Sequence, residues 1–222
     1  MSQAATPATP ATAEPANWTA SLRRRAVSTF PPDQLLPDAQ PVYVASWTYV
    51  FGVLTLAGLL VVIASGGVLA VKGPAWWHGS GVGHFTNSLH LWSVEIFMAC
   101  MVIHLWGKFF MAAWRGRRAL TWVIGAVAFL ASIGTAFTGY LTQQNFDSQW
   151  ISTQAKDGLN SVGIGAYFNV LDFGQMLMWH IVLLPIALGG LTVWHVLLVR
   201  RRGVVPPFPP RTSTSPTQDR RS

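Results

Sequence analysis

The sequence predicts an all-α protein, an integral membrane four-helix bundle, on three observations. Four apolar stretches, at about 46–71, 85–114, 120–141 and 172–199, are each long enough to cross a hydrocarbon core roughly 30 Å thick. The 222 residues are 51% hydrophobic and 10% charged, with eleven Trp, a membrane composition rather than a soluble one. The formal charge of +7 lies mostly on arginines at the ends of those stretches, where basic residues set topology. Without a basic face or an aromatic-interleaved basic patch, that charge does not point to nucleic acid.

Taken in order, residues 1–16 are rich in Ala, Thr and Pro and are expected to be a disordered tail. They lack the basic start and short apolar run of a cleaved signal peptide, so the first span is expected to direct insertion. Residues 17–45 combine Trp18, Leu22 and Val27 with Arg23, Arg24 and Arg25. That mixture suits an amphipathic helix at the headgroups, or a plain basic linker. Pro31, Pro32 and Pro37 then stop any helix.

The bundle occupies 46–203, and a Pro-rich segment, 204–222, is expected to be a second disordered tail. Span A leads into a loop with Gly73, Pro74 and a Gly-Ser-Gly turn, in which His78 and His84 read as interfacial polar residues. Span B ends at a tight turn around Arg115, Arg117 and Arg118. Span C opens into a polar segment, Thr142 to Leu171, with room for one or two short surface helices. Asp172 is placed to cap span D, in which Pro185 and the pair Gly189 and Gly190 mark a kink.

Spans B and D carry the chemistry. His90 and His104 lie fourteen residues apart in span B, which brings the second back to within about 40° of the first, about 21 Å along the axis. His180 and His195 lie fifteen apart in span D, with a drift of about 60°. Ionisable groups are expensive inside a bilayer. If the two helices run the same way, His90 faces His180 at one depth and His104 faces His195 at another. Two facing imidazoles are the axial ligand set of a six-coordinate haem iron, so the bundle is read as binding two haems between its second and fourth spans. Cys100 is the only cysteine, which leaves no Cys-x-x-Cys-His site and makes both haems non-covalent.

Two further patterns agree. Arg23–Arg25, Arg115, Arg117, Arg118 and Arg200–Arg202 fall on one side, against Lys72 and Lys156 in the opposite loops. The positive-inside rule then puts both termini in the cytoplasm, with the chain multi-pass in the cell inner (plasma) membrane and spans B and D parallel. Gly52 and Gly66 in span A, and Gly125 and Gly139 in span C, repeat the fourteen-residue spacing. Gly52 and Gly125 fall at the depth of His104 and His195, and Gly66 and Gly139 at the depth of His90 and His180, where a glycine lets a flat ring approach the backbone.

On Phe51-Gly52, Gly66, Ser88-Leu-His90-x-Trp92, His104, Leu120-Thr-Trp122, Gly125, Thr138-Gly-Tyr140, His180, His195 and Arg201-x-Gly203, the chain resembles the cytochrome b family, its N-terminal diheme four-helix part in the short b6-like form. The resemblance covers about residues 18–207. It implies two haem b groups carrying electrons across the membrane, with quinone or quinol as substrate near each. His90 and His180 would ligate the outer, lower-potential haem, and His104 and His195 the inner one. The implied partners are a separate chain supplying the C-terminal cytochrome b helices, a Rieske iron–sulfur protein and a c-type cytochrome or equivalent acceptor, in a homodimeric complex.

Departures from the family pattern are local. Gln143-Gln144 stands where a Pro-Trp shapes the outer quinol site, and Asn87, Leu91 and Gln175 stand where arginines meet the outer haem. Val50 occupies the place of a cysteine that holds an extra covalent haem. The Pro-Glu-Trp-Tyr motif of the quinol site belongs to a later region. Two functions follow: an electron-transfer subunit of a bc/b6f-like quinol oxidoreductase (quinol:cytochrome c reductase type), or a diheme anchor linking another redox enzyme to the quinone pool. Glu95, about 7.5 Å deeper than His90, reads as either an interhelical hydrogen-bonding residue or a proton acceptor coupled to the outer haem.

Overall fold

A computed structural model describes residues 17–35 and 41–207, and these divide into two units, one within Met1–Ala39 and one within Gln40–Ser222. In the first, Asn17 caps helix α1 (Trp18–Thr29) by accepting a hydrogen bond from the Ala20 amide at 2.8 Å, and a short α2 spans Pro32–Leu35. The tails 1–16 and 208–222, and Pro37, lie outside the described residues.

The second unit holds four helices long and apolar enough to cross a membrane. Span A is α3 (Trp47–Lys72), and a short α4 (Pro74–Gly79) follows it. Span B is α5 (Gly81–Phe110), span C is α6 (Ala119–Leu141), and α7 covers Phe146–Ser161. Span D consists of α8 (Phe173–Met178), a π-helical turn (Trp179–Leu183) and α9 (Leu184–Arg202). No strand occurs among the described residues.

Caps explain the boundaries. Asp172 accepts from the Gln175 amide at 2.9 Å and starts span D where the sequence places it. Span B begins four residues before the expected Phe85, because Ser80 accepts from the Gly83 amide at 2.9 Å and turns the Gly-Ser-Gly stretch into a helix start. It also ends four residues early, at Phe110, ahead of Ala112 with φ +56°. The polar segment after span C forms one surface helix, opened by a capping box between Asn145 and Ser148.

Span A packs along span B, and span C along span D, each pair antiparallel. The four spans meet at mid-height in a core of Leu59, Phe97, Met101, Ala128 and Leu188. Gly58 brings span A close to span B there, since a Cβ on it would lie 3.3 Å from the Cα of Phe97. Residues 204–207, at the head of the Pro-rich segment, are held against the bundle. The buried Tyr49 hydroxyl donates to the Val205 carbonyl at 2.7 Å, and Arg118 donates to the carbonyls of Gly203 and Val204 at 3.3 Å each.

Candidate functional site: two facing histidine pairs

The structure brings all four span histidines together in the expected pairs. The ring centres of His90 and His180 are 6.2 Å apart with planes crossed at 81°, and those of His104 and His195 are 6.5 Å apart at 83°. An imidazole–imidazole hydrogen bond would bring ring centres to about 5.2 Å, given an N···N separation near 2.9 Å. Two imidazoles on one metal, at about 2 Å per metal–nitrogen bond, put them about 6.3 Å apart. Both pairs match the second geometry.

Three of the four rings are held by Nδ1. His180 donates to the Thr135 carbonyl at 2.9 Å and His195 to the Thr121 carbonyl at 3.0 Å. A carbonyl only accepts, so Nδ1 carries the proton in each ring and Nε2 keeps its lone pair. His90 Nδ1 lies 3.0 Å from the Ser65 hydroxyl, which itself donates to the Val61 carbonyl at 2.7 Å and so accepts from the ring. His104 Nδ1 is buried without a hydrogen-bond partner. The difference lies in the sequence, since Ser65 precedes Gly66 whereas Phe51 precedes Gly52.

The four glycines stand at the expected levels but against the imidazoles themselves. A Cβ on Gly66 would lie 2.9 Å from His90 Cε1, one on Gly52 3.0 Å from His104 Cε1, and one on Gly125 2.9 Å from His195 Cε1. One on Gly139 would overlap the His180 ring. In span C each glycine stands four residues after the threonine whose carbonyl receives the bond. In an α-helix that carbonyl already accepts from the glycine amide, and the absent Cβ opens the path by which the imidazole reaches it too. Thr121 and Thr135 are themselves fourteen apart, a signal in the sequence that points to these carbonyls.

Among the described residues no group of three or more His, Cys, Asp or Glu is gathered in a way that could hold a bare metal ion. A two-histidine set suits a metal whose remaining ligands come with the cofactor, as in a haem. Near the His104 level, Trp122 Nε1 and Thr121 Oγ1 are buried without partners, and a carboxylate-bearing cofactor would supply an acceptor for them. The residues present therefore fit a haem at each level.

The remaining candidates fall outside the pairs. His78 and His84 are exposed, with His84 Nε2 3.0 Å from the His78 carbonyl. Asn87 donates to Gln143 at 3.1 Å, tying the start of span B to the end of span C. Gln175 accepts from the Asn169 amide at 2.6 Å, and Leu91 is exposed. Gln144 has φ +56°, a strained conformation for a residue with a Cβ. Glu95 is exposed and makes no hydrogen bond or ion pair among the described residues, so it is not an interhelical hydrogen-bonding residue within this chain.

A family model described as cytochrome b(N-terminal)/b6/petB matches residues 95–221, more than half of the sequence and including His104, His180 and His195. The chain belongs to this cytochrome b N-terminal/b6 family. It is 28% identical over 137 residues to a cytochrome b6 of Heliobacterium modesticaldum, a match covering 57% of this chain and 64% of that one. It is 24% identical over 191 residues to a menaquinol:cytochrome c reductase cytochrome b subunit of Geobacillus thermodenitrificans, covering 74% and 84%. A cytochrome bc complex cytochrome b subunit of Chlorobaculum thiosulfatiphilum is 31% identical over 137 residues, 57% of this chain but 32% of that one. The chain thus spans under two thirds of the heliobacterial protein and about a third of the Chlorobaculum one. A chain of a hyperthermophilic respiratory Complex III shares the fold, with a TM-score of 0.62 at 22% identity, over 83% of this chain and 54% of that one.

Proposed function

We propose that this chain is a diheme b-type cytochrome subunit of a bc/b6f-like quinol:cytochrome c oxidoreductase. His90 and His180 ligate one non-covalent haem b, and His104 and His195 the other. The pairing of imidazoles at 6.2 and 6.5 Å, in a member of the cytochrome b family, carries this reading. The names of the bc-complex relatives support the choice of complex.

A haem at each level, when bound, supplies an iron that gains and loses one electron. The chain's own residues position it. Ser65 and the carbonyls of Thr135 and Thr121 hold three Nδ1 protons, so that Nε2 is the ligating atom. The four glycines let the rings lie against the backbone. Leu59, Phe97, Met101, Ala128 and Leu188 fill the space between the levels with apolar side chains. Trp122 and Thr121 offer buried groups to haem carboxylates.

The arginine asymmetry supports both termini on the cytoplasmic face of the plasma membrane, with the His90 level outward. The likeness to the short b6-like relatives supports a separate chain for the remaining helices. A Rieske protein, a c-type acceptor, a quinone and a homodimeric assembly complete the proposal. The segment of Gln143 and Gln144, pinned by Asn87, favours one second reading, a diheme anchor that links a different enzyme to the quinone pool.

Affinity purification from the native membrane, with reduced-minus-oxidised spectra, separates the two. Two b haems with a Rieske signal support the first reading. Two b haems with a molybdenum, nickel or flavin subunit support the second, and purified chain without haem overturns both.

A further inference from the structure

Span C repeats Thr121 and Gly125 as Thr135 and Gly139 after fourteen residues, and span D answers with histidines fifteen apart. In uninterrupted α-helix, fifteen residues turn the second histidine by about +60°, whereas fourteen turn it by about −40°. The mismatch is one whole residue, about 100° of rotation. Yet the two sites are near copies. Ring separations are 6.2 and 6.5 Å, plane angles are 81° and 83°, and the Nδ1 bonds to span C carbonyls are 2.9 and 3.0 Å. One residue of span D must therefore be absorbed between His180 and His195.

The π-helical turn Trp179–Leu183, in which the Leu184 amide bonds to the Trp179 carbonyl, is where that happens. A π turn holds one more residue than an α turn for the same advance. Pro185 stands immediately behind it. Its nitrogen has no proton to give to the Ile181 carbonyl, and its ring would strike that carbonyl in a regular helix. Widening the turn relieves the clash. Gly189 and Gly190, the other expected kink site, lie within regular α-helix.

We infer that Pro185 is the positioning residue for span D: it holds the π turn that removes the extra residue from the helical phase and sets His180 and His195 on one face. The inference rests on the haem reading of the four histidines. It makes the proline and the extra residue a matched pair, each needed only because of the other.

The test compares haem per chain, and the ferric low-spin signals that follow the angle between each imidazole pair, in the purified membrane protein. Pro185→Ala frees span D to become continuous α-helix with its histidines out of phase. The expected result is loss of one of the two haems, or a shift of at least one low-spin signal. Deleting Val182 in the Pro185→Ala background restores fourteen-residue spacing and should return both haems. Deleting Ala187 with Pro185 kept removes a residue beyond the π turn and should cost one haem. Unchanged haem content and unchanged signals in Pro185→Ala overturn the inference, even if the deletion chains fail to insert. A wild-type chain without haem instead overturns the reading of the site.

Discussion

His180 donates from Nδ1 to the Thr135 carbonyl at 2.9 Å, directly over the place where Gly139 lacks a Cβ. A methyl group at 139 would overlap the ring, which must then shift from its place over the Thr135 carbonyl. Gly139→Ala should therefore at least halve the haem held at the His90–His180 level while sparing the other. Gly134→Ala is the control, since nothing lies within 4 Å of its Cβ. That substitution should keep both haems and raise helix stability by about 0.5–1 kcal/mol. Haem-to-protein ratio and thermal unfolding of the two variants measure the contrast.

Each level has its own histidine pair, with the apolar core of Phe97, Met101 and their neighbours between. His104→Ala should remove the haem of its level and leave most of the other. His180→Ala should give the mirrored result. Redox titration followed in the α-band distinguishes the two losses. Equal loss of both haems in either variant, with the chain still inserted, would contradict independent sites.

What the sequence carried, and what it did not, divides along physical lines. The four spans follow from length and apolar composition, the parallel sense of B and D from the basic residues at the span ends, and the histidine and glycine levels from helical phase, which spacing determines. Asp172 was visible as a cap because its acceptor lies in its own side chain. The start of span B was misplaced because Ser80, between two glycines, reads equally as a turn. Ser65 is not legible as a partner, since a hydrogen bond across helices depends on packing distance, and the two threonine carbonyls are marked only by the fourteen-residue repeat of Thr121 and Thr135. The close approach of the glycines to the imidazoles depends on packing distance in the same way. At Pro185 the sequence marked the right place, but only backbone bonding separates a π turn from a kink.

Val50 is 45% exposed on span A, and Cys100 is the single cysteine. Neither offers a thioether pair, so acid–acetone extraction should strip all haem from the polypeptide. Haem staining that survives extraction, or a pyridine haemochrome ratio near one per chain, would contradict the expectation of two non-covalent groups.

The start of the C-terminal segment is fastened by the Tyr49 hydroxyl on the Val205 carbonyl. Tyr49→Phe removes the donor and leaves a buried carbonyl unpaired, a loss of roughly 1–3 kcal/mol. The expected outcome is faster proteolysis after Arg201 and Arg202, with haem content unchanged. A cleavage rate equal to wild type would mean that Arg118 alone holds the segment.

Glu95 is the fifteenth residue of the thirty in span B, and so its midpoint. Five residues past His90, it turns about 140° away from the histidine face, and its side chain is exposed while His90 is buried. That orientation removes the ground for coupling to the haem of the His90 level, because the helix body separates the carboxyl from the ring. Glu95→Gln should leave both midpoint potentials, and their variation between pH 6 and pH 8 (about one unit either side of neutral), as in the wild type. An ionisable side chain at the centre of a span is costly to insert, so Glu95→Leu should raise the insertion efficiency of span B. Redox titrations at the two pH values, beside a glycosylation-mapped insertion assay, test both statements. A flattened slope in the glutamine variant would return Glu95 to the haem site.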